Sequence, residues 1–154
     1  MNNITFSPIG HAVSEFERPQ DFVFACENGL KTENTSVIVI DDKYSEGLNG
    51  LEEFSHIFVI YFLDKAEKIE LTTHPGPPSV KNLPRVGVFA SRSQYRPNSI
   101  ALRLVRLIKV EENKLYVEGL DAANGSPVLD IKPYVAGFDR PENFKTASWY
   151  GWLG

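Results

Sequence analysis

Arg92 and Arg96 stand four residues apart in "RSQYRPNS", with Tyr95 between them and Pro97 beside them. A guanidinium offers planar donors that match a carboxylate or a phosphate bidentately, so this loop reads as an anion holder. Pro97 presets a backbone angle that lets Asn98 turn back. A second polar loop is "GLDAANGSPVLDIKPY", residues 119–134. Its Asn124-Gly125 pair can take left-handed backbone angles, which would leave peptide N–H and C=O groups for a ligand's polar edge. Further along, the period of two puts Asp130, Lys132 and Tyr134 on one strand face and turns Ile131 inward. The third is the strand end "FLDKAEK", with Asp64 and Lys65. Each has a plain surface alternative, since Asn-Gly is a common hairpin turn and Asp/Lys pairs are often solvated. Three such loops in one small β-rich chain favour a site.

Other chemistries find little support. His11, His56 and His74 are far apart and have no metal-ligand spacing, so no metal is expected. There is no Gly-rich loop of the mononucleotide or dinucleotide type. Cys26 has no basic sequence neighbour to activate it as a nucleophile. For stacking on nucleobases, these loops offer Tyr95 and Tyr134.

The elements that must position these loops are short. "SVIVI", "HIFVIYFL", "VGVFA", "KLYVEGL" and "VLDIKPYV" read as strands separated by Gly, Pro, Asn and Asp. "IALRLVRLIKV" also fits a helical face, but its β-branched content and the hairpin after it, turning near Glu112–Asn113, predict a strand. "YSEGLNGLEEF" is the helix candidate, and "TTHPGPPSVKNLPR", with four prolines, is a long irregular loop. Many short strands in 154 residues predict a mainly β, single-domain barrel with short helices and long loops. The tail "ASWYGWLG" (147–154) holds both tryptophans and is expected to pack on the barrel or across a subunit boundary.

Net charge is −4 and the sequence pI about 5.4, which argues against bulk nucleic-acid binding. Yet residues 81–109 carry seven of the sixteen Lys and Arg and no acid. One basic patch aimed at a specific anion is therefore expected, with a solvated strand as the plain reading of Arg103, Arg106 and Lys109. A single cysteine excludes an intramolecular disulfide, and the absence of a long apolar run or signal-like start points to a cytoplasmic protein with no membrane segment.

"GLEEFSHIFVIYF", "PRVGVFASRSQYRPNSIAL", "GLDAANGSPVLDIKPYV" and the opening "FSPIGHAVSEF" resemble the TsaA-like (TrmO) family over residues 5 to about 138. The resemblance implies a single β-barrel domain over 1–154 that binds S-adenosylmethionine near a homodimer interface. It implies methyl transfer to N6 of threonylcarbamoyl-adenosine, beside the tRNA anticodon. Carried over by motif, the cofactor contacts are Asp64, Lys65, Arg92, Leu102, Asp121, Ala122, Ala123 and Asn124. Arg96, Asn98, Arg103 and Lys132 would fix loops or face tRNA. Asp130 and Tyr95 are the candidate proton acceptors, because a carbamoylated N6 is a poor nucleophile.

The chain also departs from the family. Where members read Pro-Arg-Gln before Gly-Leu, one alignment puts Ala25-Cys26-Glu27 and another, with a gap, Arg18-Pro19-Gln20. The family's His-Gln after its "FWF" strand is Asp64-Lys65 here. Bacterial members often carry an extra C-terminal domain, and a chain without one is expected. The alternative function is a non-catalytic sensor of S-adenosylmethionine or a nucleotide. A bare RNA-binding barrel is a third reading.

Overall fold

Alternation of buried and more exposed side chains marks the strands in this computed structural model, which describes residues 2–18, 21 and 34–153. The Ala25-Cys26-Glu27 segment, and Pro19 and Gln20 of its alternative, lie outside the described residues. Strands β1 (Gly10–Val13), β2 (Thr35–Ile40), β3 (His56–Phe62), β6 (Ile100–Glu111), β7 (Lys114–Glu118) and β8 (Pro127–Pro133) close into a barrel in the order β1-β2-β7-β6-β3-β8. Closure removes the sheet edges that an open sheet would expose. The expected mainly β barrel is present. β4 (Thr72–Thr73) and β5 (Val86–Gly87) form a separate two-stranded ribbon.

Two compact units result: residues 1–65 with 100–134, which hold the barrel, and 66–99 with 135–154, which hold the ribbon. Ile38 and Ile40 of β2, Ile57 and Val59 of β3, Val105 of β6, Leu115 and Val117 of β7, and Val128 of β8 fill the barrel core. Each alternates with residues on the outer face, as the period of two requires. At Gly10, β1 runs so close to β2 that an added Cβ would stand 2.1 Å from the Val39 carbonyl oxygen.

"IALRLVRLIKV" is strand throughout, and β6 turns into β7 at Glu112–Asn113, where Glu112 takes a φ of 53°. The Asn113 side chain closes that end by donating to the Ile40 carbonyl at 2.7 Å and to Asp42 Oδ1 at 3.0 Å. "YSEGLNGLEEF" departs from expectation. It forms two 3₁₀ turns, Asp42–Leu48 and Leu51–Glu53, because Gly50 takes a φ of 87° that no helix continues through.

In the second unit, the proline-rich loop receives the aromatic tail. Ser148–Leu153 forms a 3₁₀ turn, and Trp152 Nε1 donates to the Pro75 carbonyl at 3.3 Å. Within this unit the tail thus packs on residues of the proline-rich loop. Ala136–Asp139 is a single α-helical turn, α1.

Candidate functional site

The end of β3 delivers three side chains to one rim of the barrel. Tyr61, 2 % exposed, lies at the inner face, and its hydroxyl donates to Asp121 Oδ1 at 2.8 Å. Asp64 follows three residues later, and Oδ1 of its carboxylate accepts from the Ser126 hydroxyl at 3.3 Å. Lys65 Nζ donates to the Glu17 carbonyl at 2.7 Å and to the Asn124 carbonyl at 3.1 Å. One cation therefore pins the segment after β1 to the 121–126 turn.

That turn is tied down from below as well. Gly125 N–H donates to the Ala12 carbonyl at 2.8 Å, and Ser126 N–H to the Ala123 carbonyl at 3.1 Å. Gly125 takes the left-handed φ of 82°, whereas Asn124 does not. The Asn124 side chain instead accepts from the Ser14 N–H through Oδ1 at 3.2 Å. Ala122 and Ala123 are buried, 1 % and 3 % exposed, and the Ala123 carbonyl is taken by the Ser126 N–H. Asp64, Lys65, Asp121 and Asn124 are brought together. Each carries polar atoms on a rigid rim.

Leu102 lies elsewhere on the first unit, on the outer face of β6 opposite Ile60, and is 44 % exposed. Asp130 and Lys132 do share a face, as an ion pair at 2.9 Å, and the hydrogen bond and charge of Asp130 raise the Lys132 pKa. Asp130 Oδ1 also accepts from the Ile131 N–H at 2.9 Å, so both of its oxygens are engaged. The β8 register shifts where Ile60 and Tyr61 of β3 pair with Asp130 and Val128, leaving Leu129 bulged out of the ladder.

The acid-free window of the sequence is not acid-free in space. Arg106 pairs with Glu118 across the β6–β7 ladder at 3.1 Å, and Lys109 with Glu111 at 3.4 Å. Arg103 is directly opposite Val59, so it points to the inner face, where its Nε donates to the Gly119 carbonyl at 3.0 Å. The solvated-strand reading fits Arg106 and Lys109 and fails for Arg103.

In the second unit, the "RSQYRPNS" loop is held by its own arginine. Arg96 Nη1 donates to the carbonyls of Val88 and Ser91, each at 3.0 Å, and of Ser93 at 3.3 Å. Arg92 is exposed, and no described residue holds its guanidinium by a hydrogen bond or ion pair. Asn98 is exposed too. The Tyr95 ring lies under Lys68 Nζ at 4.7 Å, and Lys68, paired with Glu70 at 2.6 Å, has its pKa raised by that carboxylate. Among the described residues, no group of three or more His, Cys, Asp or Glu could hold a metal ion, and no helix is long and apolar enough to cross a membrane.

Sequence reasoning passed over Tyr61, Ser14 and Ser126. Tyr61 sits in an apolar strand, and its partner is 60 residues away, so spacing gave no signal. The signal available was a hydroxyl in a strand whose neighbouring inward positions are aliphatic.

The same segments carry the likeness to known proteins. An S-adenosyl-L-methionine-binding protein of Archaeoglobus fulgidus is 41 % identical over 127 residues, covering 82 % of this chain and 86 % of that one. The human tRNA (adenine(37)-N6)-methyltransferase is 44 % identical over 96 residues, 62 % of this chain but 22 % of the human one. The crystal structure of TrmO from Pseudomonas aeruginosa superposes with a TM-score of 0.72 at 29 % identity, over 94 % of this chain and 62 % of that one. The chain thus spans about a fifth of the human relative and under two thirds of the solved one. The family model of the tRNA-methyltransferase O N-terminal domain matches residues 13–140, and the chain belongs to that family.

Proposed function

We propose that the protein is an S-adenosylmethionine-dependent methyltransferase acting on tRNA, with N6 of threonylcarbamoyl-adenosine beside the anticodon as the acceptor. Residues 1–154 act as one functional domain, in a cytoplasmic homodimer. The observation that carries the reading is the rim where Tyr61 holds Asp121 and Lys65 holds the Asn124 turn, inside the family-matched segment.

The donor set suits the cofactor. Asp121 and Asp64 offer carboxylate oxygens to an ammonium or ribose hydroxyls, and Arg92 offers a guanidinium to the methionine carboxylate. Ala122 and Ala123, assigned to the cofactor by the resemblance, are buried and would have to open before their backbone met the polar edge of adenine. Bound there, S-adenosylmethionine supplies a methyl already activated as a sulfonium, so the chain needs no nucleophile of its own. Its residues place the acceptor nitrogen in line with that methyl, and positioning alone supplies much of the rate. The N6 proton must leave as the new C–N bond forms. Asp130 and Tyr95 are the candidate acceptors, with both Asp130 oxygens needing to be freed first.

The test uses labelled cofactor with tRNA from cells that make, or cannot make, the threonylcarbamoyl group. Label in the first pool alone supports the proposal. Equal label in both means another acceptor. One observation favours a sensor instead: the Archaeoglobus relative is named for binding, not transfer. Tight cofactor binding with label in neither pool would put that reading ahead.

A further inference from the structure

Phe89 is 78 % exposed, yet the residue before it is hydrogen-bonded through both its N–H and its carbonyl. It sits in the 3₁₀ turn Val88–Ala90, next to Val88, which is 1 % exposed. Val88 N–H donates to the Leu71 carbonyl at 2.9 Å, and the Val88 carbonyl accepts from Ser91 N–H at 3.1 Å, Ser91 Oγ at 2.8 Å and Arg96 Nη1 at 3.0 Å. The Arg96 guanidinium carbon then lies 5.8 Å from the centre of the Phe89 ring. A large ring is thus presented to solvent on a fixed turn, with a cation behind it.

We propose that Phe89 is a stacking platform for an unpaired nucleobase of the RNA. This deepens the tRNA reading and rests on it. Bases splayed from single-stranded loops stack on aromatic rings and guanidinium planes, and a rigid ring loses little entropy on binding. The two tyrosines that the sequence offered are half-buried where Phe89 is exposed, and Tyr134 packs on Phe58 with ring centres 6.1 Å apart. Charge argues for RNA over a protein surface. Residues 71–99 carry Lys81, Arg85, Arg92 and Arg96 and no acid, which suits a polyanion.

The probe is an anticodon stem-loop RNA in which 2-aminopurine replaces the adenine beside the anticodon, titrated with the full chain. Phe89→Leu should weaken RNA binding about 5- to 150-fold, the span of one lost stacking contact. Phe89→Trp should keep the affinity and quench the probe, and both variants should bind S-adenosylmethionine as the wild type does. Equal RNA affinity in wild type and Phe89→Leu overturns the platform and leaves the tRNA reading standing. A wild type that binds no RNA removes both. Loss of the dimer in Phe89→Leu with RNA affinity unchanged would assign the ring to a second copy of the chain, and overturn the proposal.

Discussion

The hydroxyl of Tyr61, inside the barrel, donates at 2.8 Å to Asp121, a carboxylate on its rim. One bond thus couples the buried end of β3 to the loop that follows β7. Tyr61→Phe keeps the ring and its packing and deletes the donor. A hydrogen bond to a charged group contributes about 1.5–3 kcal/mol. Partial exposure of Asp121 puts the expected loss of stability at the low end, about 1.5 kcal/mol, read from urea unfolding with an unchanged m-value. Weaker S-adenosylmethionine binding by calorimetry should accompany it. Unchanged binding in a destabilised variant would separate Asp121 from the cofactor.

Arg92 differs from its neighbour Arg96 in being exposed, with no described partner. If its guanidinium takes the cofactor carboxylate, Arg92→Ala should cost about 2–3 kcal/mol of binding and almost nothing in thermal stability. Arg96→Ala should do the reverse in part, because three carbonyls of the 88–93 segment lose their donor. Calorimetry and a melting curve on both variants check the contrast. Equal cofactor affinity in wild type and Arg92→Ala would take Arg92 out of the site.

At Gly10 the backbone of β1 lies close against that of β2. A methyl there would meet the Val39 carbonyl oxygen at 2.1 Å and Ile40 Cα at 2.9 Å, and both are backbone atoms that cannot swing away. Gly10→Ala should therefore force β1 off β2 and destabilise the protein by about 3 kcal/mol or more. Gly87→Ala meets no atom within 4 Å and is the neutral control. Melting curves that fail to separate the two would contradict the β1–β2 approach.

The exposed triad of Lys109, Glu111 and Tyr116 carries a pH signature. The Lys109 ammonium, by hydrogen bond and charge, holds the Glu111 pKa below its usual value, and the Tyr116 hydroxyl adds to this. A carboxylate whose folded pKa is depressed contributes stability above its unfolded pKa and loses it as pH falls through the folded value. Glu111→Gln should thus make the acid limb of the stability profile slightly shallower and leave neutral stability nearly unchanged, as expected for a solvated pair.

Much of the barrel was legible because its short segments alternate or run apolar between Gly, Pro, Asn and Asp, and the hairpin at Glu112–Asn113 followed from two apolar runs with a polar gap. The helix candidate was misread because Gly50 adopts a left-handed φ that an apolar pattern does not reveal. At the candidate site, Asp121 and Asn124 were named by the family resemblance, and the structure puts them on one rim with Lys65. The resemblance could not find Tyr61, nor show that Asn124 works through its side chain on Ser14 while Gly125 alone takes the left-handed turn. Long-range partners decide those details. The basic window misled for the same reason, since β7 brings Glu118 to Arg106 across the ladder.

Arg103 gives the sharpest separation between sequence and structure. Composition groups it with the cations that would meet tRNA phosphates, but its register opposite Val59 turns it inward onto the Gly119 carbonyl. Gly119 opens the loop that carries Asp121, so the guanidinium braces the rim from inside. Arg103→Ala should lower stability by about 1–3 kcal/mol, the range for losing a charged donor. A side chain that touches a phosphate adds about one unit to the salt slope of RNA binding, and one that braces a loop adds none. The expected result is an unchanged slope of log Kd against log salt in Arg103→Ala, measured on the stem-loop RNA, with weaker cofactor binding. A slope reduced by about one, in a variant of full stability, would return Arg103 to the RNA interface.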